Sequence, residues 1–546
     1  MKWKIKNTEI KVIFTIILVV FAVFLAMPVV QLLFKSFQGE AGVSLKNYLD
    51  VYQSRGFAKA LRNSFCIAGI SSLVTTAAAF LLSYTIHYTN APKALKRFIR
   101  GAALIPMLLP TITYGFAIIY SFGKQGLLTR LLGGQPFEIY GFNGLLLGYV
   151  IYTLPISFML IHNTMLYIDK KYMIVSRVMG DGAVRGFLTT VVRPLLGTLA
   201  ASFVQCFFLS FTDFGIPASV GGEYEVVASV LYNEMLGSVP DFGRGSVVAV
   251  TMLIPSVVSI GVLRYLERYN IRYTKITTVE LKKSPVRDIS CASFSVLLIL
   301  GMLSIFAVIF VIPFVSEWPY DLHFTWDNIK NVFSDGGLLA VYENSLLVAF
   351  LTAGLGTLAA YGAALVTARS TLGDKGKGMV DAIALVTNTI PGMVIGLAFL
   401  FAFSGTDFQN TFFLIIICNI VHFFSTPYLM MKNSLSKMNS SWETTAMLMG
   451  DSWIKTIVRV VTPNAVSSIL EVFSYYFVNA MVTISAVIFI AGARTMVITT
   501  KIKELQHYAK FNEIFVLSLL ILFTNLAAKA LFGLFTNKKA KKEKKR

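Results

Sequence analysis

Ser176–Leu196 reads SRVMGDGAVRGFLTTVVRPLL, and Ala446–Val466 reads AMLMGDSWIKTIVRVVTPNAV. The tripeptide Met-Gly-Asp thus recurs at an offset of 270 positions, each time in a basic stretch that ends at a proline, Pro194 or Pro463. Glycine permits a tight break between two short helices. Proline is tolerated in the first turn of the helix that follows. Each stretch lies between strongly apolar runs, so the expected product is a short helix lying across the face of a membrane. Its far end is expected to join a membrane span rigidly.

The flanking runs decide the class. The chain has 546 residues, 55% of them hydrophobic and 14% charged, against about 25% charged in soluble domains. Apolar runs of about 20 residues recur along it, enough to cross a hydrocarbon core of about 30 Å. Spans are expected near 10–34, 64–88, 99–121, 143–168, 196–221 and 245–267, then near 290–316, 343–367, 379–403, 411–435, 464–491 and 511–535. The fold class is therefore an all-α polytopic membrane protein of about 12 transmembrane helices. Ile10–Phe34 is long and lacks a small-residue cleavage site, which reads as an uncleaved first span rather than a signal peptide.

The net charge of +20 is distributed as topology, not as a nucleic-acid footprint. The start (MKWKIK) and end (KKAKKEKKR) are basic tails beside spans, and the terminal one also attracts anionic lipid. Twelve spans place both termini on one side, and loops on that side hold most of the 48 Lys and Arg, which makes it cytoplasmic. The opposite loop 317–342 is acidic. Both Met-Gly-Asp stretches then fall in the cytoplasm, after the fourth and tenth spans. The four cysteines stand singly in apolar runs and read as small buried residues, with no metal-ligand spacing.

The duplication extends beyond the tripeptide. SLKNYLDVYQSRGFAKALRNS (44–64) matches TWDNIKNVFSDGGLLAVYENS (325–345) without a gap, pairing Asn47, Gly56, Asn63 and Ser64 with Asn328, Gly337, Asn344 and Ser345 at an offset of 281. The same offset pairs Pro110 and Gly115 with Pro391 and Gly396. Six spans per half give both halves one orientation, a parallel repeat about an axis along the membrane normal. The expected division is a first half 1–267, a cytoplasmic linker 268–289 and a second half 290–546, with the patterned loops at about 169–195 and 436–463.

In these loops the residues resemble a family. The pattern E-A-A-x-x-x-G with proline about 13 residues later marks permease subunits of ABC importers that use a substrate-binding protein. Gly450 and Pro463 keep that spacing, with Ala446 on the preceding helix, whereas Gly180 and Pro194 hold one extra residue. The usual glutamate positions are Ile174 and Thr444, with Glu443 one step away. The resemblance implies that each loop is a coupling helix seated in an ATP-hydrolysing subunit. The implied coupling residues are Met179, Gly180, Asp181, Gly182, Arg185 and Pro194 in one loop. In the other they are Glu443, Ala446, Gly450, Asp451, Trp453, Lys455 and Pro463. It also implies two copies of an ABC ATPase carrying the ATP and magnesium, an extracytoplasmic binding protein, no cofactor held by this chain, and a bacterial cytoplasmic (inner) membrane. Two permease halves in one chain resemble the branch that imports ferric iron, 2-aminoethylphosphonate or thiamine. Residues 211–235 and 475–502 are similar to segments of its iron and aminoethylphosphonate members, so the implied solute is ferric iron or such a phosphonate.

Polar residues within spans are candidates for the pathway. Asp213 lies about 28 Å along a helix from Pro194. It reads either as a residue at the outer mouth of the path or as an interfacial Asp-Phe-Gly turn. Asn479 and Thr483 occupy the matching stretch of the second half, and Asn479 either lines the path or bonds between helices. His162 and His422 read as packing residues, and Gly354, Gly356, Ala359 and Ala360 as sites of close helix approach. No Walker-type glycine loop is present, so ATP-driven work falls to a partner. Two other classes compete. A secondary carrier of the major-facilitator type also has two six-span halves, but its Gly-Asp-Arg-Gly-Arg turn is missing from YTNAPKALKRFIRG (88–101). A membrane enzyme would need clustered His, Asp or Glu, which five scattered histidines do not offer.

Overall fold

The computed structural model describes residues 8–39, 42–266 and 284–543, the side chains of 264 and 536–543 excepted. The basic start MKWKIK, most of the linker and the end of the basic tail lie outside the described residues. Among the described residues, nine helices are long and apolar enough to cross a membrane. They are α1 (Thr8–Ser36), α2 (Arg55–Tyr88), α3 (Phe142–Leu166), α4 (Ala183–Thr212), α5 (Phe242–Leu263), α6 (Pro285–Phe314), α7 (Gly336–Ala368), α8 (Trp453–Val482) and α9 (Phe511–Phe535). Three helix pairs meet the same test only jointly, and counting each as one span gives 12.

These pairs correct the expectation of straight spans. Lys93–Leu108 and Thr111–Leu132 meet at 109°, Asp374–Thr389 and Gly392–Phe403 at 105°, and Phe412–Phe423 and Ser425–Ser436 at 57°. The first two bends sit at the repeated prolines. A proline drives the residue before it out of the helical region. Leu109 accordingly has φ −123° and ψ 148°, and Ile390 has φ −83° and ψ 120°. The repeated glycines then allow close approach. A Cβ on Gly115 would collide with the Ser219 side chain, and one on Gly396 with the carbonyl of Ala486. The fifth and eleventh expected spans also end early, at Thr212 and Val482.

Pro194 and Pro463 do not begin new helices. They lie inside α4 and α8, each just after a π-helical turn, Leu188–Val192 or Ile457–Val461. The amide of Arg193 donates to the carbonyl of Leu188, five residues back, and that of Thr462 to Ile457. Widening the turn accommodates a residue that lacks an N–H and crowds the preceding turn. Pro28 in α1 follows the same device, a π turn over Ala22–Ala26.

By packing, the chain forms two compact units, residues 48–329 and residues 1–47 with 330–546. In the first, α2 packs along α3 and α4, presenting a stripe of small buried residues that includes Ala60, Ser64, Ala68, Ser71 and Ser72, as helices in lipid do to approach closely. α6 joins this unit, with Thr85 Oγ1 and Ser295 Oγ 2.7 Å apart. In the second, α7 packs along α8, with Gly356 against the ring of Tyr476, while Gly354 faces open space and takes no part. α1 joins this unit through Phe21 on Phe424 and Phe24 on Phe403. Each leading span therefore packs with helices of the other sequence repeat.

The repeated polar residues do the same work in both units. Asn47 Nδ2 donates to the Gln38 carbonyl at 3.0 Å, and Asn328 Nδ2 to that of Val315 at 2.7 Å, each bracing a small β-hairpin. Asn63 Nδ2 reaches the Glu225 carbonyl at 3.0 Å, and Asn344 Nδ2 that of Met496 at 3.2 Å. Ser64 Oγ accepts from the Val227 amide at 2.8 Å, and Ser345 Oγ from that of Ile498 at 2.7 Å. The two serine bonds are buried, and each satisfies a backbone amide that would otherwise cost free energy.

Candidate functional site

The helices Lys171–Val178 and Ser441–Leu448 precede the two Met-Gly-Asp tripeptides and end identically. Gly180 has φ +81° and Gly450 φ +82°, the left-handed conformation that only glycine adopts without a Cβ penalty. The Gly180 amide donates to the Arg177 carbonyl at 3.1 Å and the Asp181 amide to Ser176 at 3.0 Å. Gly450 donates to Met447 at 3.0 Å and Asp451 to Ala446 at 2.9 Å. This pairing satisfies carbonyls that a helix end leaves open. It gives Met-Gly-Asp its structural meaning: glycine turns the chain, and aspartate supplies the closing amide.

The aspartates then secure the next helix. Asp181 accepts from Ser176 Oγ at 2.7 Å and pairs with Arg185 at 3.2 Å. Asp451 pairs with Lys455, and Ser452 Oγ accepts from the Lys455 amide at 3.3 Å. Gly182 starts the first of these helices in ordinary extended backbone. Arg185 is exposed, and such surface pairs contribute at most about 1 kcal/mol. The tips are apolar: Val178, Met179 and Val184 stand out in one loop, Leu448, Met449 and Ile454 in the other, with both methionines 77% exposed. From Ala183 and Trp453, just past each turn, the chain runs without a break into a membrane helix, α4 or α8.

Different chemistry anchors the two loops. Arg369, just past the end of α7, sends Nε to Glu443 Oε1 and Nη2 to Glu443 Oε2, both at 2.6 Å. Nη1 reaches the Met438 carbonyl and Nη2 that of Asn439, both at 2.9 Å. Trp453 Nε1 donates to the Arg369 carbonyl at 3.2 Å. In the other loop Lys170 Nζ donates to the His87 carbonyl at 2.7 Å and lies over the ring of Tyr88. Burial, and then the charge of Lys96, push the Lys170 ammonium below its ordinary pKa. Phe187 adds an aromatic contact to Phe80 and Tyr84. Sequence reading missed Arg369 and Lys170, which look like ordinary basic residues at the ends of spans.

Residues 76–271 and 354–541 each match the model of the binding-protein-dependent transport system inner membrane component. The chain belongs to that family. It is a two-half ABC importer permease, a multi-pass membrane protein and not an enzyme, and membership implies an ATPase and a substrate-binding protein as partners. The ferric transport system permease protein FbpB of Actinobacillus pleuropneumoniae is 24% identical over 504 residues, 89% of this chain and 72% of its own. FbpB 1 of Haemophilus influenzae is 23% identical over 502 residues, 88% of this chain and 78% of its own. A spermidine/putrescine transport system permease protein PotC homolog of Mycoplasma pneumoniae is 24% identical over 177 residues, 32% of this chain and 59% of its own.

The pathway candidates of the permease lie at helix ends and bonds. Asp213 is buried where α4 stops, and accepts from the Ile216 amide at 2.9 Å, which is the Asp-Phe-Gly turn. Thr483 is buried at the matching end of α8, its carbonyl accepting from Thr499 Oγ1 at 2.7 Å. Asn479 Nδ2 bonds the Tyr475 carbonyl of its own helix at 2.8 Å and, among the described residues, no other helix. His162 is not solitary: its Nδ1 lies 3.0 Å from His87 Nε2 across α3 and α2. His422 is half-buried beside the 57° bend, its Nδ1 shielded from solvent and without a partner among the described residues. Among the described residues no three His, Cys, Asp or Glu side chains gather as a metal site.

Proposed function

We propose that this permease carries ferric iron across the cytoplasmic membrane and is driven by two copies of an ABC ATPase docked on its two Met-Gly-Asp loops. For the solute, the supporting observation is the match to ferric permeases over nearly the whole chain, against about a third for the polyamine-type relative. A phosphonate such as 2-aminoethylphosphonate is the second reading. For the drive, the support is geometric. Each loop offers an exposed apolar tip fixed by a glycine-capped helix end, and each tip continues into a membrane helix that can carry its displacement inward. In this reading Met179, Gly180, Asp181, Gly182, Arg185 and Pro194 serve one ATPase copy. Ala446, Gly450, Asp451, Trp453, Lys455 and Pro463 serve the other, with Glu443 behind them.

Both loops and both termini face the cytoplasm by the distribution of Lys and Arg. The binding protein delivers solute from the opposite side, and Asp213, Asn479 and Thr483 border the path. The test is reconstitution of the chain with its ATPase and binding protein in vesicles. ATP-dependent uptake of radiolabelled ferric iron, competed poorly by aminoethylphosphonate, is the expected result. Uptake driven by an ion gradient without ATP would sink the drive, and preference for the phosphonate would sink the solute.

A further inference from the structure

We infer that Arg369 and Glu443 form a positioning pair that locks the 436–463 loop to α7, and that this loop meets its ATPase through its apolar tip rather than through the glutamate. The inference rests on the docking role proposed above for this loop.

The geometry is specific. Arg369 has a side chain only 2% exposed, and Glu443 one 17% exposed. Both carboxylate oxygens of Glu443 are engaged by the guanidinium, and a bidentate fork of this kind adds orientation as well as attraction. The same guanidinium holds the carbonyls of Met438 and Asn439, and lies over the ring of Trp442. Its own carbonyl takes the indole N–H of Trp453. The loop is thus gripped on both sides of Gly450, before it at 438–443 and after it at 453, by one residue at the end of α7. Pushing the tip moves α7 and α8 together.

A carboxylate so engaged is not offered outward. What the loop offers outward is Leu448, Met449 and Ile454, all exposed. A lysine at 369 could not replace the fork, because an ammonium lacks the planar donors that reach two carboxylate oxygens and two carbonyls at once. In the other loop the aligned positions are Tyr88 and Met173, which cannot form an ion pair, and Lys170 on the His87 carbonyl takes the anchoring role. The pair therefore marks one loop and not the other.

The test uses the full chain with its ATPase and binding protein, and reads three quantities: membrane-inserted protein, ATPase co-purified, and solute carried per ATP hydrolysed. R369E and E443R are each expected to lower solute per ATP by at least about tenfold, since each leaves a like-charge pair in place of a partly buried opposite pair, while the ATPase still co-purifies. The exchanged pair R369E/E443R is expected to recover part of that loss, since it restores the ion pair but not the bonds to the Met438 and Asn439 carbonyls, and R369K is expected to fall short of the parent chain. E443Q, which keeps the shape and removes the charge, serves if the reversed charges fail to insert, and is expected to lower solute per ATP with the ATPase bound. M449E separates the two ideas. Loss of ATPase binding in M449E with unchanged coupling in the Arg369 and Glu443 variants would overturn the positioning pair alone. Loss of ATPase binding in E443Q or E443R without recovery in the exchanged pair would make Glu443 a partner contact and overturn the inference. Normal ATPase binding in M449E would overturn the docking role itself.

Discussion

Replacing Gly450 isolates the energy of one backbone conformation. Its φ of +82° lies in the left-handed region, and no atom stands within 4 Å of the place a Cβ would occupy. A side chain there meets no neighbour, so the cost is that of the backbone alone, about 1–2 kcal/mol for an ordinary residue. Asparagine visits this region more readily and should cost least; alanine should cost about 1 kcal/mol, and valine, stiff at its branched Cβ, more. The helix cap that depends on this conformation, the Asp451 amide on the Ala446 carbonyl at 2.9 Å, should open by a factor of about 5–30 at 1–2 kcal/mol. Hydrogen exchange at the Asp451 amide should therefore rise in the order glycine, asparagine, alanine, valine, and ATP-coupled uptake should fall in the same order. Protein inserted in the membrane should stay constant, because the loop lies outside the packed helices. If Gly450→Val exchanged and transported like the parent chain, the left-handed cap would have no part in the action of the loop. The same series at Gly180, with φ +81° and equally open space, should reproduce the exchange order.

Other substitutions test the packing. Gly396→Ala should destabilise by about 1–3 kcal/mol through overpacking against the Ala486 carbonyl, whereas Gly354→Ala, facing open space, should leave the melting temperature in detergent unchanged; equal effects would refute the close approach at the bend. Ser64→Ala and Ser345→Ala should each cost about 1–3 kcal/mol by orphaning a buried amide, that of Val227 or of Ile498, measured as thermal inactivation of the purified permease. Lys170→Met should speed proteolytic cutting in 169–182 while leaving the 436–463 loop as resistant as before, since it removes the Lys170 bond to His87 and its contact with Tyr88; equal cutting of both loops would refute separate anchoring.

The class and the repeat were legible because they rest on properties that sequence states directly. Runs of about 20 apolar residues must cross or be buried, and Asn47, Asn63 and Ser64 recur at one offset because they brace the same turns twice. The bends were only half legible. An apolar run reads alike whether straight or folded back, and the shared offset of Pro110 and Pro391 marks them as repeats, not as breaks. Pro194 and Pro463 misled because a π turn, which has no residue signature, lets proline sit inside a continuous helix. Glu443 was visible one step from its usual place, but its partner Arg369 lies 74 residues away. His162 looked solitary for the same reason, its partner His87 being 75 residues distant. Local spacing says nothing about contacts of that range.

The placement of α1 has a consequence for biosynthesis. This helix is made before every other described helix, yet the helices it packs with, α7 among them, begin about 300 residues later. At about 5–20 residues per second of synthesis, α1 waits roughly 15–60 s in the bilayer before its neighbours exist. Its exposed faces during that interval belong to lipid or to the insertion machinery. A chain cut between residues 267 and 290 would leave each fragment short of one helix of its unit, so the two pieces should be stable only when made together in the same membrane.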